Sequence, residues 1–137
     1  DLCEARVIPF QFRQLMQNLI SNSLKFSNPN LPPHIIMKSK IATGEELWES
    51  CQPESQEKLI GKKKYCHIHF TDNGIGFEPE YKERIFEVFQ RLHSFEEYAG
   101  TGIGLAICRR IIENHGGIIT ATGKLNEGAQ FEIYIPT

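Results

Sequence analysis

The stretch KYCHIHFTDNGIGF, residues 64–77, begins as a strand and ends as a turn. Tyr65, His67 and His69 alternate with Cys66, Ile68 and Phe70, the period of two that sends alternate side chains to opposite faces of a sheet. Asp72 then opens a glycine-punctuated break. Gly74 and Gly76 permit close approach of the backbone to a flat ligand, and the Asp72 carboxylate is an acceptor that suits an exocyclic amine. Asp-Asn-Gly is also a common turn, so this stretch alone establishes a strand end and no more.

On either side of this strand the pattern continues. HIIMKSKIA (34–42) reads as a second strand, and GIITATG (117–123) and QFEIYIP (130–136) as two more, joined through KLNE and Gly128 in a hairpin-like connection. Residues 10–26 have helical spacing, with Phe12, Leu15, Met16, Leu19, Ile20 and Ser23 on one side, and the prolines of SNPNLPP end that helix. A second helix is expected after Pro79, with Tyr81, Ile85, Phe89 and Leu92 at helical spacing. A third covers IGLAICRRIIENHGG, where Ile103, Ile107 and Ile111 share a face and Gly116 is the stop. Residues 43–63, polar and carrying Gly44, Pro53 and Gly61, predict a long mobile loop, and residues 93–102 show no period. Strand pairs with helices between them predict a two-layer α/β sandwich, sheet on one side and helices on the other.

A length of 137 residues suits one domain, 1–137. The net charge is −2 and the only basic run is Lys62 to Lys64, so the electrostatic footprint of a nucleic-acid binder is missing. Cys3, Cys51, Cys66 and Cys108 form no CxxC and no zinc spacing, which predicts reduced thiols in a cytoplasmic setting, with Cys66 and Cys108 in the core. No apolar run approaches the roughly 20 residues of a membrane span. The chain opens without an initiator methionine or a signal-peptide plan, so it is expected to be a piece of a longer, conceivably membrane-associated, protein.

The first helix has an oddity in QNLISNSLKF, residues 17–26. Asparagine is a poor interior helix residue because its amide competes for backbone hydrogen bonds. Yet Asn18 and Asn22 fall with Gln14 and Lys25 within about 80° on one polar stripe. GTGIGLA, residues 100–106, is the densest glycine cluster. It is not a dinucleotide fingerprint, since the third glycine would fall on Leu105 and no strand precedes it, nor is it a Walker loop, since no GK[ST] follows. What remains is a glycine-rich loop feeding a helix N-terminus, where amides and helix dipole favour a phosphate; hinge glycines explain it equally well.

NLISNSLKF, DNGIGF, IFEVFQRL and GTGIGLAI, in this order and spacing, resemble the N, G1, F and G2 boxes of the ATP-binding domain of sensor histidine kinases, from about Phe10 to Pro136. That family shares the Bergerat fold with gyrase-type ATPases, so the resemblance implies an α+β fold, a two-layer α/β sandwich whose mixed, mostly antiparallel sheet is covered on one face by about three helices. The resemblance implies ATP and Mg²⁺ as cofactors. Asn22 becomes the Mg²⁺ ligand, with Asn18 and Lys25 beside it near the phosphates. Asp72 takes the adenine amine, and Gly74 and Gly76 shape the base pocket. Gly100, Thr101, Gly102, Ile103, Gly104 and Leu105 form the phosphate-binding segment. Phe86 and Phe89 anchor a lid of roughly residues 90–101, and Arg91 reaches the terminal phosphate. An amide oxygen is a hard ligand that adds no charge, which accounts for the asparagines. In two respects the chain departs from the pattern: Gln130 precedes Phe131 of the last strand, where the family often has threonine, and the segment 43–63 is longer than a minimal member needs.

Related ATPases carry a glutamate one turn before the magnesium asparagine, to activate water. Here that position is Asn18, and an amide is no base near neutral pH, so the γ-phosphate is kept for another acceptor. In the family this is a histidine on a helical dimerisation domain. His34, His67, His69, His93 and His115 all lack the His-Glu/Asp-x-x-x-Pro context, so the phosphoacceptor domain is expected before residue 1, with homodimerisation through it and a response regulator downstream. A gyrase-type ATPase, which releases phosphate steadily on its own, and a catalytically silent nucleotide-binding regulatory module are the alternatives.

Overall fold

The computed structural model describes residues 3–87 and 104–137. Helix α1 (Pro9–Lys25) is followed by strand β1 (Ile35–Thr43), two short helices α2 (Gly44–Trp48) and α3 (Pro53–Gln56), and strand β2 (Lys64–Asp72). Two 3-10 turns, Pro79–Tyr81 and Arg84–Phe86, precede helix α4 (Gly104–Asn114) and the hairpin of β3 (Ile118–Lys124) and β4 (Gly128–Pro136). The strands lie in the order β1-β2-β4-β3. All three pairings are antiparallel, so the sheet is not mixed among the described residues.

The period of two decides what each face carries. Cys66, Ile68 and Phe70 of β2 and Phe131, Ile133 and Ile135 of β4 point to one face, where Leu15 and Leu19 of α1 and Cys108, Ile111 and Ile112 of α4 close the main core. Phe131 meets Phe70 and Phe86 edge to face, both at a centroid distance of 6.3 Å. Helix α4 stops where Gly116 adopts φ +71°, a conformation open to glycine at little cost.

Residues 43–63 are not the loop their polarity predicts. Thr43 and Glu46 form a capping box that starts α2, and Pro53 begins α3. The base of the excursion closes through Gly44 N–H to Lys63 O (2.9 Å) and Glu45 N–H to Gly61 O (3.0 Å). Leu47, Cys51 and Leu59 then bury Ala42, Tyr65, Ile118 and Tyr134 on the far face of the sheet. One end of the sheet is thus covered on both sides.

Over its described part, residues 79–87, the single helix expected after Pro79 is replaced by the two 3-10 turns, and the rest of its span lies outside the described residues. Arg84, which begins the second turn, lies over the ring of Tyr81, which ends the first, at 5.5 Å. The expectation of four reduced thiols also fails. Residues 3–7 run extended, with Cys3, Ala5 and Val7 turned to the main core, and Cys3 forms a disulfide with Cys66 of β2 at a Cα–Cα distance of 6.0 Å. Only the fold brings these residues together across 63 positions. Cys51 and Cys108 are free and buried. No helix among the described residues is long and apolar enough to cross a membrane.

Candidate functional site

Asp72 ends β2 on the core-facing side of the sheet, and three donors hold its carboxylate. Oδ1 accepts the Gly74 N–H (3.0 Å) and the Ala129 N–H (3.2 Å), while Oδ2 accepts the Ser23 hydroxyl (2.8 Å). The register pairing Asp72 with Ala129 supplies the second of these amides. Ser23, 5% exposed, comes from the buried face of α1. It was grouped above with the apolar residues of that face; a hydroxyl at a buried position calls for a partner, and that was the signal for its role.

The glycines of the turn serve close backbone packing. A Cβ on Gly74 would sit 2.5 Å from the Phe26 carbonyl oxygen, where Ile75 N–H now donates (2.9 Å). Gly76 has φ +65°, and a Cβ there would lie 2.3 Å from Lys124 O. Asn73 fixes the other flank: its Oδ1 accepts from His34 N–H (2.8 Å) and its Nδ2 donates to Pro32 O (3.0 Å). Gly74 and Gly76 therefore shape the surroundings of Asp72 by letting three backbone segments converge.

The polar stripe of α1 faces the start of α4. Asn18 Nδ2 donates to Gly104 O at 3.4 Å, and its side chain also bonds the Cys108 thiol. Burial drives that thiol up to about 12, against the Asn18 contact, so Cys108 is not a nucleophile. Among the described residues, a Cβ built on Gly104 would meet Asn22 Oδ1 at 3.9 Å, an ordinary contact distance. The half-buried Asn22 amide thus stands beside the first residue of α4. Lys25 is exposed in the last turn of α1, and Leu105 packs on the main core.

Phe86 is buried beneath the Arg109 guanidinium, 4.2 Å from the ring centroid, and Arg109 also pairs with Glu83 at 3.0 Å. The second 3-10 turn is fastened to α4 in this way. Phe89, Arg91, Gly100, Thr101, Gly102, Ile103 and the lid of residues 90–101 lie outside the described residues. Gln130 is exposed on the opposite face of the sheet from Asp72. The residue of β4 on the Asp72 side is Ala129, so the departure at Gln130 does not alter the surroundings of the carboxylate.

Over residues 8–137 the chain matches the family described as histidine kinase-, DNA gyrase B-, and HSP90-like ATPases, and it belongs to that family. Its sandwich is the Bergerat fold of that family of ATP-binding domains. Cyanobacterial phytochrome A from Nostoc sp. is 43% identical over 126 residues, which are 92% of this chain and 14% of that protein. The mycobacterial sensor histidine kinase MprB superposes with a TM-score of 0.66 at 20% identity, over 94% of this chain and 72% of that one. Full-length ShkA in complex with AMPPNP superposes with a TM-score of 0.65 at 25% identity, over 92% of this chain and 21% of that one. The chain therefore spans only a small part of its curated relative.

Proposed function

We propose that this domain binds Mg²⁺-ATP between α1, the end of β2 and the start of α4, and passes the γ-phosphate to a histidine on a dimerisation domain of the same protein. The observation that carries the reading is the Asp72 carboxylate, pinned by two amides and a hydroxyl at the mouth of the sheet. The residues present fit the nucleotide and its metal. Asn22 offers a neutral hard oxygen beside the start of α4. The cation would supply charge neutralisation on the phosphates; Asn22 would hold it, and Lys25 would meet the phosphate chain. Asp72 would orient the base through its amine.

Asn18 favours transfer over hydrolysis, because its amide is committed to Gly104 O and Cys108 and takes no proton from water. The phosphoacceptor domain, dimerisation through it and a downstream response regulator complete the reading. AMPPNP in the full-length ShkA structure supports the nucleotide. The test is a single-turnover reaction of this chain with Mg²⁺-ATP and an added acceptor domain. Phosphohistidine on the acceptor, without steady phosphate release by the chain alone, is the expected result; steady release would favour a gyrase-type ATPase.

A further inference from the structure

We infer that Ser23 is a positioning residue that makes the base site select a 6-amino purine over a 6-oxo purine. This rests on the nucleotide reading above and goes beyond it.

An aspartate side chain has a broad, roughly two-fold torsion about its last bond, so one well-placed oxygen does not fix the plane of the carboxylate. In Asp72 the amides of Gly74 and Ala129 both go to Oδ1, at 3.0 and 3.2 Å. They locate that atom and leave the plane to be set by a contact at the other oxygen. Ser23 provides it, through a 2.8 Å hydrogen bond to Oδ2 from a residue that is 5% exposed. Three donors on two oxygens define the plane, and with it the direction of the lone pair that Oδ2 still offers.

The hydroxyl has a second effect. With its proton committed to Oδ2, Ser23 Oγ presents only lone pairs to its surroundings. Asp72 Oδ2 and Ser23 Oγ together form an acceptor-only pair. An exocyclic amine brings a proton to it, whereas a carbonyl at the same ring position brings a third acceptor and leaves buried lone pairs unmatched. Discrimination of this kind is large where a site built for a donor meets an analogue lacking it. Ser23 directly follows Asn22, and successive residues on a helix diverge by about 100°. One turn of α1 thus faces the start of α4 with one residue and the end of β2 with the next.

The experiment measures binding of Mg²⁺-ATP and Mg²⁺-ITP, which differ in amine against carbonyl at position 6 and in a bare N1 against an N1–H beside it, to the wild-type chain, Ser23→Ala and Ser23→Thr. Alanine removes the hydroxyl, adds no volume and suits a helix. Ser23→Ala is expected to weaken ATP about tenfold or more, the scale of a hydrogen bond to a charged group, while ITP changes far less, so the ATP/ITP preference collapses. Ser23→Thr restores the hydroxyl and should recover the preference. A merely structural serine would shift both nucleotides equally, or shift neither while lowering the unfolding midpoint; either result overturns the inference. Failure of the wild-type chain to bind ATP overturns the nucleotide reading as well, whereas ATP bound equally by wild type and Ser23→Ala overturns this inference alone.

Discussion

Opening the Cys3–Cys66 disulfide should cost the domain a large fraction of its stability. The bond spans 63 positions, enclosing α1, β1, α2, α3 and the start of β2. In the chain-entropy account, a cross-link over a loop of this length removes about 4 kcal/mol of disorder from the unfolded state. Part of that is recovered after reduction, because residues 3–8 can then fray. Their anchors are few: Cys3 N–H to Ser39 Oγ at 2.8 Å, Ile8 N–H to His115 Nε2 at 2.9 Å, and the apolar contacts of Ala5 and Val7. A net loss of about 2–4 kcal/mol follows, and with a urea slope of about 2 kcal/mol per molar the midpoint falls by about 1–2 M. The assay is urea unfolding of the air-oxidised chain with and without a dithiol reductant, with Cys3→Ser as a control that reductant should no longer move. Thiol titration of the denatured, unreduced chain should find two thiols, those of Cys51 and Cys108. Coincident unfolding curves together with four titratable thiols would refute the reasoning.

Three further outcomes are expected. Glu132 is partly buried, which alone would raise its pKa, but hydrogen bonds from His67 and His69 outweigh burial and hold the carboxyl below its usual range. A depressed carboxylate stabilises the fold above its unfolded pKa and loses that contribution as pH falls through the folded value. Glu132→Gln should therefore cost on the order of 1 kcal/mol near neutrality and flatten the acid limb of a stability-against-pH curve. Gly128 has φ +106°, and a Cβ there would stand 2.0 Å from the Asp72 carbonyl oxygen, so Gly128→Ala should destabilise by about 3 kcal/mol and weaken ATP binding in calorimetry. Asn22→Ala should keep the fold, since alanine is the better helix former by about half a kcal/mol, and abolish the Mg²⁺-dependent part of nucleotide affinity in a metal titration.

What was legible in the sequence was whatever local periodicity encodes. The strand at 64–72 and the hairpin around Gly128 stand where alternation and turn chemistry put them, and α1 is displaced by one residue from its expected span. Residues 43–63 were misread because polarity was weighed above Thr43-Gly-Glu-Glu46, a capping signature present in the sequence. The turns after Pro79 were misread because helical spacing over a few residues does not distinguish α from 3-10 geometry. Cys3–Cys66 and Ser23–Asp72 are long-range pairings, and one chain without its fold carries no register between such distant positions. Asp72 itself was legible as an acceptor; the three donors that aim it were not.

The abutment of Gly128 on the Asp72 carbonyl has a consequence for how this domain tolerates change in length. The β3–β4 turn is a reference point for the base site, so one residue gained or lost there would flip Ala129 to the other face and withdraw an amide from Asp72. The excursion at residues 43–63 is under no such constraint, because its base is clamped by Gly44 to Lys63 and Glu45 to Gly61, far along β2 from the carboxylate. Related chains can therefore lengthen, shorten or decorate that excursion to meet different neighbours, while the hairpin stays at its present count.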